Sequence, residues 1–520
     1  MVKNSRQLPV FFTLPFSFRA AFSFYRRLPA ACCLLLFVLG LLPAVYSFPL
    51  TCEISDIQPR SRALKVSCSA ALPPGRSQLT FAEEFAGLQR LSERVFSLRV
   101  KDSNGASLSP EIQGQGIYFL TLKDREQRVT ISYELRLARA LDPGGYPLTS
   151  SLSQEFGFLL LDDLLPRLSM AGEKSATEKT ERVTLKLAPP PDWQIATTEQ
   201  QRGDIFEIPD QSRAVFFLGQ LREQKLNING RQLRFAITGR WNFTDEQAAR
   251  LVENIAREQS ALMGGLNPSE GEERFLVTLA PYPIPLTGLR SSALTRHHTI
   301  VMMLNPNDHP ARTVAHYARH LAHEMFHYYL PGTLNVRENF DWFWEGFTRY
   351  VALVTLQRLK LISLREYLDA LGDEYEVYAF NPARANLSLV AASSEKFANL
   401  ANYELVYRKG MLVAGLYDLE LRWQSEGRKN VMDVIRGLYQ KYARRGLEIG
   451  NREVLAELRQ AGNFDRFISD DIEGTREIEL PAIIKTYGLF IERKPLSRPR
   501  IGVAPKLSAK QRILIAQLGN

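Results

Sequence analysis

All seven histidines of this 520-residue chain lie between His297 and His327, and the last two close the pentapeptide His323-Glu324-Met325-Phe326-His327. Residues four apart on a helix stand one above the other, so His323 and His327 can aim their imidazoles at one cation. Glu324 then reaches toward whatever that cation binds. The chemistry open to such a trio is activation of water, with nitrogen donors on a metal and a carboxylate to take a proton. Zinc is the expected metal, one ion, and it asks for at least three protein donors. After a break at Pro331-Gly332, helical periodicity restarts in Asp341-Trp342-Phe343-Trp344-Glu345-Gly346-Phe347-Thr348-Arg349-Tyr350. Glu345, set among aromatics there, is the expected third ligand.

His316 and His320 repeat the same spacing earlier on the helix and fall on one stripe with His323 and His327. Each helical turn advances about 5.4 Å, so His316 stands about 10 Å or more from the first ion. No carboxylate is spaced to complete a second site. These two, with His297, His298 and His309, are read as packing histidines or supports of the ligands.

The motif needs a helix with defined ends. Asn307-Asp308-His309-Pro310 offers a cap and a first-turn proline, and Pro331-Gly332 a stop, which frames a helix of about five turns. Two strand-like runs, 275–279 and 299–304, precede it. Thr244-Asp245-Glu246-Gln247 reads as a capping box opening an amphipathic helix that ends at Gly264-Gly265. Helices dominate from there to about residue 472. Before it, residues 48–240 alternate as strands, as in 94–100, 129–135 and 183–187, with turns at Asn104-Gly105 and Asn229-Gly230. The expected organisation is therefore multi-domain α+β. A β-rich, sandwich-like N-terminal domain spans 48–240, a mainly α catalytic domain 241–490, and a basic tail 491–520.

Hydrophobic residues make up 45% of the chain, enough for two or three domains with real cores. The net charge of +9 comes partly from the ends, which argues against a nucleic-acid partner because no basic stripe interleaved with aromatics appears elsewhere. Residues 28–52 carry no charge and follow a basic flank, as in an export signal with cleavage before Phe48. Residues 1–47 are thus expected to send the protein to the periplasm or the extracellular space. The alternative is an uncleaved anchor at 28–52 with the catalytic part outside. Outside those residues, Cys52 and Cys68 form the only cysteine pair beyond the segment, either a disulfide closing a loop worth about 3 kcal/mol or two buried thiols.

Taken in order, His323 to His327, then Trp342-x-x-Glu345-Gly346-Phe347-Thr348-x-Tyr350, then Tyr407-Arg408-Lys409-Gly410, resemble the gluzincin metallopeptidases. The likeness is to the aminopeptidase N clan and, more closely, to its glycyl aminopeptidase family. Trp193-Gln194-Ile195-Ala196-Thr197 and the stretch from Phe464 to Pro481 add to it, so that it covers about 180–490. The resemblance implies a thermolysin-like catalytic domain after a β-rich one, a zinc held by His323, His327 and Glu345, Glu324 as the base, and Tyr407 as donor to the oxyanion. It also implies a peptide or protein substrate.

Three departures stand out. Seventeen residues separate His327 from Glu345, one fewer than in aminopeptidase N relatives, a difference a loop absorbs. Those relatives clamp the substrate's free amine with an acid on the strand before the motif helix, yet residues 274–307 hold no Asp or Glu. Aminopeptidase-like action therefore stands beside two alternatives, an endopeptidase indifferent to a free N-terminus and a non-catalytic peptide-binding descendant. The PDZ domain common after the catalytic part in the glycyl family is not expected in the few residues that remain.

Overall fold

The computed structural model describes residues 48–518 except 86–87, 124, 138–148, 173–181, 267–273, 283–290, 308, 493–497 and 499. The expected export segment 1–47 lies outside these residues, as does the stretch leading to Ser291. The multi-domain α+β fold is as expected: several sheets come first and a mainly helical part follows.

Alternating burial explains the first part. Leu50, Cys52 and Ile54 of strand Leu50–Gln58 point inward while their neighbours face solvent, and the strand joins an eight-stranded sheet. Its inner face shares one core with two four-stranded sheets, supplied by residues such as Leu64, Leu79, Leu120, Leu159 and Phe216. This is a sandwich-like arrangement. Cys52 and Cys68 are directly opposed across the pair Leu50–Gln58 and Ala63–Leu72, and a disulfide joins them.

The strands Arg222–Ile228 and Arg231–Ile237, turned by Asn229-Gly230 with positive φ at both residues, do not stay with the sandwich. They pair with Phe275–Pro281, Thr299–Leu304 and Ser291–Arg296, in that order, to form a five-stranded sheet. Alternation marks a strand but not its partner, so the change of character at Thr244 falls two strands late. Phe275–Pro281 and Thr299–Leu304 are buried on both faces. One face packs on Phe156, Phe158 and Phe217 of the sandwich, the other on two helices.

Those helices are Asp245–Leu262, opened by the expected capping box, and the motif helix Pro310–Phe326. Tyr317, Ala318, Leu321, Ala322 and Met325 recur at helical spacing and press the motif helix onto the sheet. The sheet ends on Ser291–Arg296, an edge strand that runs beside the motif helix. A large helical core closes the other side.

The basic tail expected from residue 491 is partly structured. Arg500–Val503 pairs with Leu489–Glu492, and the helix Ala509–Leu518 buries Leu514 and Leu518 against the helical core. Basic composition hid a short i, i+4 apolar pair. Among the described residues no helix is long and apolar enough to cross a membrane.

Candidate active site

His323 lies in the last turn of the motif helix, and His327 is its C-terminal cap, still in right-handed helical conformation, so the four-residue spacing survives. Glu345 comes from the first turns of the following helix, Asp341–Arg358. The three side chains converge. His323 Nε2 is 3.2 Å from His327 Nε2, and Glu345 Oε2 is 3.3 Å from the first and 3.5 Å from the second. Among the described residues they are the one group of three such donors close enough to share a metal ion.

The donor set fits zinc. Bonds of about 2.0–2.1 Å in a tetrahedron set donors about 3.3 Å apart, which is the spacing found. Glu345 Oε2 is buried and no hydrogen bond satisfies it, as is also true of His323 Nδ1. Three electron-pair donors turned on one point repel one another unless a cation or protons sit between them. Burial opposes charge at His327, but contact with the Glu345 carboxylate lifts it to about 9. Burial pushes His323 down. His327 Nδ1 lies 2.8 Å from the Leu330 carbonyl, a bond that fixes the tautomer leaving Nε2 for a metal.

Glu324 stands beside the cluster and is held by the edge strand. Thr295 donates its hydroxyl to Glu324 Oε2 at 2.6 Å. Sequence reasoning missed Thr295, one threonine among many on an ordinary strand.

Tyr407 sits on the long helix Leu400–Gln424, and two glycines explain how it approaches Glu345. A Cβ on Gly346 would stand 2.5 Å from the Gly410 carbonyl carbon, so only glycine lets the two helix backbones come this near. Glu345 precedes one glycine and Tyr407 lies a turn before the other. Lys396 lies between them, its ammonium 3.5 Å from Glu345 Oε1 and 5.7 Å from the Tyr407 ring centre. Burial, reinforced by the charge of Glu345, pushes the Tyr407 hydroxyl well above the ordinary tyrosine range.

Lys396 is buried and bonded to Asp341, four residues before Glu345 on the same helix. Burial raises Asp341 to about 6 despite this partner. Neither residue was singled out from the sequence, because nothing in their separate stretches signals the pairing. The same holds for Glu374, a buried carboxylate that accepts from Arg319, Arg349 and Arg408 at 2.8–3.1 Å. Each arginine sits within four residues of a candidate site residue, so one acid ties together the three helices bearing His323, Glu345 and Tyr407.

The remaining histidines serve elsewhere. His316 Nε2 and His320 both meet Ser291 Oγ of the edge strand, the former at 2.6 Å. His297 turns the hairpin with φ 49° and stacks on His298, which burial pushes down to about 4. His309 precedes the motif helix as its cap residue.

Comparison with known proteins bears on the fold. The chain superposes on an aminopeptidase N family protein from Idiomarina loihiensis with a TM-score of 0.73 at 18% identity, over 89% of this chain and 82% of that one. An M1 zinc metallopeptidase from Deinococcus radiodurans is matched at 0.51 and 14% identity, over 84% and 95%. A mutant of that enzyme was solved with a Tyr-Ser-Ala substrate. No curated protein matches the chain in sequence. The fold is thus that of the aminopeptidase N-like zinc metallopeptidases. Residues 316–413, which carry His323, Glu324, His327, Glu345 and Tyr407, match the model of the M61 glycyl aminopeptidase family, the family that the motifs resemble.

Proposed function

We propose that the protein is a zinc-dependent peptidase whose reaction centre is built by His323, His327, Glu345, Glu324 and Tyr407. The observation carrying this reading is the convergence of three donors at zinc spacing beside a carboxylate held by Thr295. A zinc ion bound there supplies Lewis acidity, polarising a peptide carbonyl and acidifying water. Glu324 takes the proton of the attacking water and returns it to the leaving amine. Tyr407 keeps its own proton, since burial disfavours the phenolate, and donates a hydrogen bond to the oxyanion that forms on the carbonyl oxygen. Lys396 balances the charge behind Glu345, and the Leu330 carbonyl orients His327.

The substrate is a peptide, as in the Deinococcus complex, and the strand Ser291–Arg296, which ends its sheet among the described residues, runs beside the motif helix where an extended chain can lie. Aminopeptidase-like action is supported by the likeness of residues 316–413 to the glycyl aminopeptidase family. A second reading, an endopeptidase, is favoured by the acid-free stretch 274–307 and by Asp341, whose carboxylate is already taken by Lys396. A buried ammonium without a carboxylate partner is costly. The two are separated by assaying one peptide with its amine free and acetylated. A strict aminopeptidase loses turnover of the acetylated form, and cleavage that survives acetylation rules that mode out.

We also infer that the protein works outside the cytoplasm, in the periplasm or beyond, freed from or anchored by residues 28–52. The Cys52–Cys68 disulfide supports an oxidising compartment.

A further inference from the structure

Large hydrophobic side chains are seldom left in water as a group, and a cluster of them beside a cleft marks a binding surface. Of the ten large hydrophobics exposed among the described residues, four fall on two short segments, Val377 and Phe380 on one, Phe397 and Leu400 on the other. Phe380 is 82% exposed and Leu400 73%. The segments meet where Asn381 Nδ2, one residue after Phe380, donates to the carbonyl of Ala401, one residue after Leu400, at 2.8 Å.

This patch runs into the candidate site. The Phe397 ring lies 6.3 Å from that of Tyr403, and Tyr403 lies 4.6 Å from Tyr407. Lys396 Nζ is 4.8 Å from the Phe397 ring and 3.5 Å from Glu345 Oε1. The ammonium is neutralised by Asp341 and Glu345, so what this wall presents to a substrate is aromatic and apolar surface.

We propose that Val377, Phe380, Phe397 and Leu400 form a subsite for apolar or aromatic side chains of the substrate, about two to four residues from the cleaved bond. An extended chain advances about 3.3–3.6 Å per residue, which carries it from Glu345 past Phe397 within that distance. The occupant is the substrate itself because Phe397, one member of the patch, stands against Tyr403 and Lys396, which in turn reach Tyr407 and Glu345. The consequence is a preference for apolar peptides of several residues over short or polar ones. This rests on the peptidase reading.

The test uses the zinc-loaded full chain with two octapeptides that differ only two to four residues on either side of the cleaved bond, leucine and phenylalanine in one, serine in the other. A tripeptide serves as control. The expected kcat/KM favours the apolar octapeptide by about tenfold or more, and Phe380→Ser with Leu400→Ser removes that preference while sparing the tripeptide. Equal kcat/KM for the two octapeptides, or a preference that survives the double substitution, overturns the subsite. So does a double variant that keeps its peptide preference but loses binding to lipid vesicles or self-association, which would assign the patch to those occupants. Failure to cleave any peptide sinks the peptidase reading alone. Affinity of the same labelled octapeptides for Glu324→Gln, with and without the two serines, then decides the subsite: the apolar peptide must bind tighter, and only while Phe380 and Leu400 are present.

Discussion

Glu324→Gln is expected to lower kcat by a factor of about 10² to 10⁴ while the protein keeps its zinc. The amide has the size of the carboxylate and can still meet the Thr295 hydroxyl, so the fold around the motif helix has no reason to change. It cannot accept the proton of water. Because His323, His327 and Glu345 are untouched, metal content measured by mass spectrometry should equal that of the wild type. Loss of zinc together with activity would make Glu324 a structural residue, and undiminished turnover would remove it from the mechanism. The same variant separates an enzyme from a peptide-binding descendant, for which the substitution should matter little.

Tyr407→Phe is expected to lower kcat by about 10² to 10³ with a much smaller change in KM. The hydroxyl stabilises charge that develops only after attack, so its removal is felt in the transition state more than in the bound substrate. The ring remains to stack on Tyr403, and the Gly346–Gly410 helix contact is unaffected. Steady-state kinetics on one peptide suffices. A rise in KM with kcat unchanged would instead make Tyr407 a wall of the substrate cleft.

The site was legible in the sequence where its logic is local. His323, Glu324 and His327 follow from helical spacing, and Glu345 from the restart of periodicity after Pro331-Gly332. The capping box at Thr244 and the Asn229-Gly230 turn were equally local signals. What stayed hidden depends on pairing across the chain. Lys396 meets Asp341, three arginines meet Glu374, and Thr295 meets Glu324 only because helices and an edge strand pack in a particular order. Tyr407 came from the family likeness, and the physical reason for its place, the contact of Gly346 with Gly410, became visible only in the packed helices. The allegiance of strands 222–237 to the catalytic sheet escaped for the same reason.

The central claim is that one zinc ion on His323, His327 and Glu345 runs peptide hydrolysis, and titrating metal back into chelated protein tests it most directly. Turnover of a peptide substrate should vanish on chelation, return in proportion to added zinc and level off at about one equivalent per chain. Hydrolysis that persists without metal, or that returns only beyond a second equivalent, would contradict it.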